Sequence, residues 1–520
     1  MQDNITTDDM ELNECEAISY IHYRPYTSKE LVPVGFASQP GEPTEQEIHD
    51  MIDNAISQVL GPQGLAAIIK PGDKVVIKVN LIGNGVGSRG EKNRGGITDP
   101  RIVRYVASKV RSIIGFEGTS DLKVVDATFY KDKNPSLKES STSFYWARLE
   151  KNGDNAVDDG DICYDADADG LLDGGSEARL VNLDSLGEEE RFTTIVKTAS
   201  SKEYIVSMPK FIRTREEAEA DGSDEYCDVL IAIPILKSHA MAGITGGIKL
   251  HYGFRHSEGI NGDTGRCLHN GLYIDDKGII HNRLNLFDYL CAQHLVRKND
   301  FVIMDCLAGN RSGPSNPYGR SASNPQKNWP LDYVLTNAVL ASRDSVAIDT
   351  VEAVMAGYDP KSIKLLDTGC DNGVGTNDPR YIMVGGLNDF YNHRQYLYKN
   401  YSRDQYPFED GWGGARILPG NSISFNAYLE KPVEIKDGVF AFKYEIFDKC
   451  DDIVPEISRV ELWVNNSPVD YKNENDILQG RFILDIKEKN IPKNSSTSCF
   501  LAVWDKTFNC LISNEVIFRS

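Results

Sequence analysis

The chain has 520 residues, 40% of them hydrophobic, and a formal net charge of -21. That length predicts two or three domains with full-sized cores. The acidic balance excludes non-specific binding to nucleic acid or to anionic membranes, which needs a basic surface, and no apolar run is long enough for a transmembrane segment.

In chain order, residues 1–15 read as an acidic, disordered leader, and no signal peptide is present in this numbering. An α/β core is expected over 16–415. Thr44, with Glu47 three residues on and Ile48, Ile52, Ile56 and Val59 at helical spacing, predicts a capped helix ending near Leu60. Strands are predicted at Lys74–Val79, Leu122–Asp126, Asp228–Ile233 and Phe301–Asp305, and helices at Pro100–Ile114 and Asp344–Met355. Alternating strands and helices predict an α/β fold, a mostly parallel sheet flanked by helices. The glycine-rich run Gly83–Gly96 follows a strand without a dinucleotide-binding spacing. It reads as a lid that brings Arg89, Lys92 and Arg94 to an anion, or as a solvated loop.

Residues 150–190 interrupt the core with fourteen acidic residues against Lys151 and Arg179. Within them stands Asp165-Ala-Asp167-Ala-Asp169-Gly170-Leu171-Leu172-Asp173. Oxygens at alternate positions, then a glycine for the sharp turn, are what a Ca²⁺ loop requires. The expected ligands are Asp165, Asp167, Asp169, Asp173 and the Leu171 carbonyl, and the ion's role is structural.

The richest stretch is 227–253. A β-branched run, Val229 to Ile233, breaks at Pro234, and Lys237, Ser238, His239, Thr245, Lys249 and His251 follow, with Gly243, Gly246 and Gly247 around Thr245. Open α/β sheets gather their sites at such carboxyl ends of strands. Two lysines, a threonine and glycines that admit backbone N–H groups fit a small carboxylate or phosphate, so Thr245, Gly246 and Gly247 are the expected substrate-binding residues. Lys237, His239, Lys249 and His269 are the catalytic candidates, joined by Asn80 and Asp305 from neighbouring strand ends. The competing readings are snorkelling lysines and Asx caps. Five of nine histidines fall within 239–281, which marks that cluster as a candidate for a second metal ion.

Pro234-Ile-Leu-Lys-Ser-His239, then Thr245-Gly-Gly-Ile-Lys249, resembles the signature of the domain-of-unknown-function 362 family. Val75-Val-Ile-Lys-Val-Asn80, Thr98-Asp-Pro100, His269, Asp300–Asp305 with Gly313-Pro314, and Leu340–Asp349 resemble its other segments in order, over roughly residues 70–390. The resemblance implies a fold family and supplies no reaction. The closely spaced cysteines of cluster-bearing members are missing.

From about Ile423 short β-rich runs alternate with turns, which predicts a β-sandwich over 416–520. Its ending, Phe500-Leu-Ala-Val-Trp-Asp through Asn514-Glu-Val-Ile-Phe518, resembles the last hairpin of fibronectin type III and other immunoglobulin-like domains. That resemblance is associated with an extracellular or periplasmic location, and a fibronectin-like arrangement implies a Cys450–Cys510 disulfide. Two functions stand. One is an enzyme acting on a small anionic ligand by Lys/His proton transfer or metal-assisted chemistry. The other is a non-catalytic surface protein that uses the core as scaffold and the sandwich for surface contacts or self-association.

Overall fold

The computed structural model describes residues 19–81, 95–116, 118, 121–127, 144, 147–149, 161–239, 241–255, 273–274, 280–281, 286–311, 333–385, 389–401, 406, 408, 414–417, 425–448 and 457–520. The chain forms two compact units. One is Met1–Asn377 with Tyr401–Ile417, and the other is Asp378–Asn400 with Leu418–Ser520.

The first unit is built on strands β1 (Val32–Ser38), β2 (Val75–Val79), β3 (Leu122–Asp126), β4 (Arg179–Asn182), β5 (Val229–Ile233), β6 (Ile235–His239), β7 (Gly243–Ile244), β8 (Phe301–Asn310) and β9 (Tyr333–Ser342). They run in the order β1-β9-β8-β5-β2-β3-β4, with β6 pairing the far half of β8. Every pair from β8 to β4 is parallel, and β9 is antiparallel to both its neighbours. Successive residues of β2 serve opposite faces. Val75, Ile77 and Val79 pack with helices α1 (Glu45–Leu60) and α2 (Pro100–Ile114), while Val76 packs with Val125, Leu230, Met208 and Phe254. Burial on both faces is why the strands read as unbroken apolar runs.

The helix ends follow local chemistry. Thr44 and Glu47 form the expected capping box before α1. Asp99 caps α2 by accepting the Arg101 N–H, with Pro100 in the first turn. Asp344 accepts the Val346 and Ala347 N–H groups ahead of α5 (Ser345–Met355). Between these lie α3 (Gly246–Leu250) and α4 (Leu286–Val296).

Two elements depart from the expectation. Strand β8 continues five residues past Asp305, because β6 and β9 flank its second half; Asp305 is therefore mid-strand. The acidic stretch 150–190 also contributes β4, whose Leu180 and Asn182 are buried against β3. Four residues amid so many carboxylates give too short a pattern to read.

The second unit is antiparallel throughout its two principal sheets. One holds β10 (Phe425–Leu429), β11 (Val433–Lys436), β12 (Val439–Asp448) and β15 (Arg481–Asp485). The other holds β13 (Ile457–Val464), β14 (Ser467–Asn473), β16 (Ser496–Asp505), β17 (Cys510–Ile512) and β18 (Val516–Arg519). Phe442, Phe482, Leu462, Leu501 and Val503 form their shared core. Asn465 and Asn466, both at positive φ (48° and 61°), close the two-residue β13–β14 hairpin. Cys450 lies outside the described residues.

Candidate functional site

The carboxyl ends of β2 and β5 and the middle of β8 are tied by one segment, Thr98-Asp99. The Thr98 hydroxyl donates to Ile233 O at 2.8 Å and accepts the Asn80 N–H at 3.0 Å, while the Thr98 N–H donates to Asn80 O at 2.9 Å. Asp305 accepts the Asp99 N–H at 2.7 Å and the Leu307 N–H at 3.0 Å, one on each oxygen. Burial, and Asp99 beside it, push the Asp305 carboxyl up to about 7. Both Asp305 oxygens are thus spent on backbone. Asp305 clamps the entry to α2, which is the Asx reading of this residue.

The Pro234 break carries the chain from β5 into β6 and back through β7, with His239 opposite Gly243 and the Thr245 N–H donating to Lys237 O at 2.8 Å. Lys237 and His239 are two apart on a strand and share a face. Lys237 is 1% exposed and its Nζ donates to Gly96 O at 2.9 Å. His239 Nδ1 accepts two backbone N–H groups, from Met241 and Ala242, each at 3.1 Å. That places the ring proton on Nε2, so neutral His239 offers a donor there and not a base at Nδ1.

Helix α3 presents the second lysine. Lys249 is 5% exposed, its Nζ lies 5.5 Å from the centre of the Tyr252 ring, and it makes no hydrogen bond among the described residues. Thr245 stands four residues before it, hence on the same helical face. The Thr245 hydroxyl is buried and has no hydrogen-bond partner among the described residues. Beneath lies a third lysine, Lys78, buried and paired with Asp126. Gly253 covers that pair: a Cβ there would lie 2.7 Å from Lys78 Nζ and 2.8 Å from Asp126 Oδ1.

Asp126 pairs with Lys78, where Asp184 adds to its field, and its charge also opposes the loss of the proton at Lys237 and Lys249. Burial, then Lys249, push Lys237 down to about 7. Burial, then Lys78, push Lys249 down to about 8. A protein cannot hold three such cations dry without either losing protons or gaining an anion.

The glycines do a different job from the one expected. The Gly247 and Ile248 N–H groups donate to the two oxygens of Asp349, and those of Gly246 and Lys237 donate to Glu352. Gly246 has φ +48°, and a Cβ there would sit 2.4 Å from the Asp349 carboxyl. Gly246 and Gly247 therefore admit carboxyls of α5 in place of a ligand. Asp349 and Glu352 are both fully buried. Burial pushes Asp349 up to about 8 and Glu352 well above the carboxyl range, the latter also through Asp349 beside it.

His251 and His294 stack with ring centres 3.6 Å apart, each Nε2 facing a backbone carbonyl, of Arg297 and Ile248 respectively. Burial pushes both well down, His294 to about 3. His256 and His269 lie outside the described residues, as do Arg89, Lys92 and Arg94.

In the acidic stretch, ligand oxygens of Asp165, Asp167 and Asp169 lie within 4.8 Å of one another. Gly170 turns the chain at φ 84°. Asp173 is drawn aside: its Oδ2 accepts from Arg104 and from the Ala166 N–H, both at 3.2 Å. The Leu171 N–H donates to Asp169 at 2.7 Å.

Lys78, Asp126, Glu352 and His294 were not singled out by sequence. Lys78 hides inside an apolar strand, and Glu352 inside a helix whose every residue is buried. A charged residue in an otherwise apolar run was the available signal.

Residues 224–353 match the family described as Domain of unknown function (DUF362), a quarter of the chain that includes β5 to β7, α3 and most of α5. No curated protein matches the chain. Among solved structures, the spore cortex lytic enzyme SleM of Clostridium perfringens aligns at 13% identity, over 21% of this chain and 35% of that one, with a TM-score of 0.16. A likeness that slight carries no argument.

Proposed function

We propose that the first unit is an enzyme that binds a small carboxylate or phosphate at the carboxyl edge of its sheet and moves a proton there. The observation that carries this reading is the buried residue Lys249, with no hydrogen bond among the described residues, one helical turn from a Thr245 hydroxyl that likewise has no partner among them. Lys249 and Thr245 hold the anion. Lys237, poised near 7, exchanges the proton, and His239 donates from Nε2. Asn80 and Asp305 shape the floor through Thr98 and Asp99. The test is thermal denaturation of the full chain with phosphate, acetate or malonate. Each anion that fits should raise the Tm, and Lys249→Met should erase the rise; an equal rise in that variant would refute the reading.

For residues 161–182 we propose a structural Ca²⁺ site centred on Asp165, Asp167 and Asp169. The support is the convergence of those oxygens and the charge conflict a cation would relieve. Asp173 would contribute only its second oxygen, and Leu171 its carbonyl. The antiparallel second unit reads as immunoglobulin-like. Together these favour an extracellular or periplasmic location, where millimolar Ca²⁺ suits such a loop.

A second, non-catalytic reading draws on one observation. Val433 and Ile483 flank Ala441 on the outer face of β11, β12 and β15, and Val433, Ile435 and Ile483 are 64%, 58% and 48% exposed. Such a patch suits self-association with a second copy. Sedimentation of the chain and of Ile483→Lys would decide it: a dimer broken by the substitution supports this reading.

A further inference from the structure

Strand β15, Arg481-Phe-Ile-Leu-Asp485, stands at the edge of its sheet, with β12 its one partner among the described strands. The Tyr444 N–H donates to Gly480 O at 2.8 Å, and the Ile486 N–H to Gly438 O at 3.0 Å. In an antiparallel ladder these two bonds set the alternation. Phe482 and Leu484 bond to β12, while Arg481, Ile483 and Asp485 turn their backbone N–H and C=O groups away from it, toward the open edge. Asp485 O also accepts the Lys489 N–H at 3.2 Å, which leaves its second lone pair. The side chains alternate in step. Phe482 and Leu484 enter the core, and Arg481, Ile483 and Asp485 lie on the outer face, where Ile483 is 48% exposed.

We propose that two copies of the chain join β15 to β15 as an antiparallel pair, about a two-fold axis at Ile483. This rests on the self-association reading above and gives it an edge and a register. Arg481 and Asp485 stand equally far from Ile483 and carry opposite charges, so the two-fold sets each arginine opposite the aspartate of the other copy. The outward-facing residues then pair completely. Ile483 meets Ile483, and Arg481 meets Asp485 twice, each pair exchanging backbone hydrogen bonds in both directions. On the outer face the apolar row Val433, Ala441, Ile483 runs on into its own image.

Charge selects this arrangement. The Arg481 guanidinium has no hydrogen bond or ion pair among the described residues, and Lys443 stands directly across from it on β12. Like charges at opposed positions weaken a sheet, and a carboxylate arriving on the free side of Arg481 relieves the conflict. Asp485 can supply it: its Oδ1 accepts the Lys487 N–H at 2.9 Å, while its Oδ2 has no partner among the described residues. Parallel pairing in register would set like charges together. A slip of two residues would set a charge opposite Ile483. An edge closed by its own image is no longer open to a further strand, so growth through β15 stops at two copies.

The test is sedimentation equilibrium of the full chain from about 1 µM to about 1 mM, the range of weak and transient pairs, with the two charges exchanged. Arg481→Asp and Asp485→Arg should each raise the dimer Kd about thirtyfold, two ion pairs having become two like-charge contacts. The double variant should restore the original Kd. Arg481→Asp gains Lys443 as an opposite charge across the ladder, so its fold is retained. In the unsubstituted chain, hydrogen exchange at the Arg481, Ile483 and Asp485 amides should slow as concentration rises, while Phe482 and Leu484 stay protected throughout. That measurement decides the edge without any substitution. Failure of the folded double variant to recover, or exchange at those three amides independent of concentration, would overturn the inference. A dimer broken by Ile483→Lys yet indifferent to both charge exchanges would mean face-to-face packing, so the register falls and the self-association reading stands. A monomer at every concentration sinks both.

Discussion

Gly246 and Asp349 are in contact so close that no other residue fits at position 246. The glycine holds a left-handed φ of +48°, and the Asp349 carboxyl occupies the space a Cβ would take. This contact lets α5 reach the turn that carries Thr245 and Lys249. It also shows how the site is set: by buried carboxyls gripping backbone N–H groups behind the lysines.

Gly246→Ala should therefore destabilise the first unit by about 3 kcal/mol, combining left-handed strain with overpacking. Urea unfolding of the variant measures it. A loss below about 0.5 kcal/mol, the scale of an ordinary surface substitution, would mean the contact is easily relaxed.

The depressed lysines set the pH behaviour. Between about 7, where folded Lys237 titrates, and the ordinary lysine value near ~10.4, the unfolded chain binds more protons than the folded one. Stability should therefore rise with pH across that window and lose this contribution as pH falls to about 7. Lys249 adds the same trend from about 8 upward. Lys237→Met should flatten the slope of unfolding free energy against pH. An unchanged slope would show that Lys237 titrates normally.

Calcium should act locally. With Ca²⁺ at about 1 mM, in the range of extracellular sites, residues 161–180 should gain hydrogen-exchange protection while β2 and β5 stay unchanged. Asp165→Asn should abolish the gain. Protection unaltered by Ca²⁺, or altered equally in the variant, would rule out the loop as a site.

How much of this was legible in the sequence depends on how local the determinants are. The capping box of Thr44 and Glu47, the Asp99-Pro100 helix start and the apolar strands β2, β3 and β5 are local, and each appears at its predicted place. Strand β4 and the second half of β8 owe their existence to neighbours distant in sequence, so periodicity did not announce them. Lys237 and Lys249 stood out as charges after apolar residues. Their third companion, Lys78, became visible only when the sheet set β2 beside β3 and Asp126 beside it. The glycines around Thr245 were legible as a place of close approach. What approaches, Asp349 and Glu352, comes from about a hundred residues downstream and could be learned only from the fold.

The central claim is that buried, partly deprotonated lysines hold an anion. Its most direct test is calorimetric titration of malonate into the full chain at pH 8, in buffers of different ionisation enthalpy. Binding should draw protons onto Lys237 and Lys249, so the apparent enthalpy should vary with buffer, corresponding to uptake of about one proton. Affinity should weaken up to about tenfold per pH unit above 8. Lys249→Met should remove both binding and uptake. Binding with no proton uptake, or binding undiminished in Lys249→Met, would contradict the account.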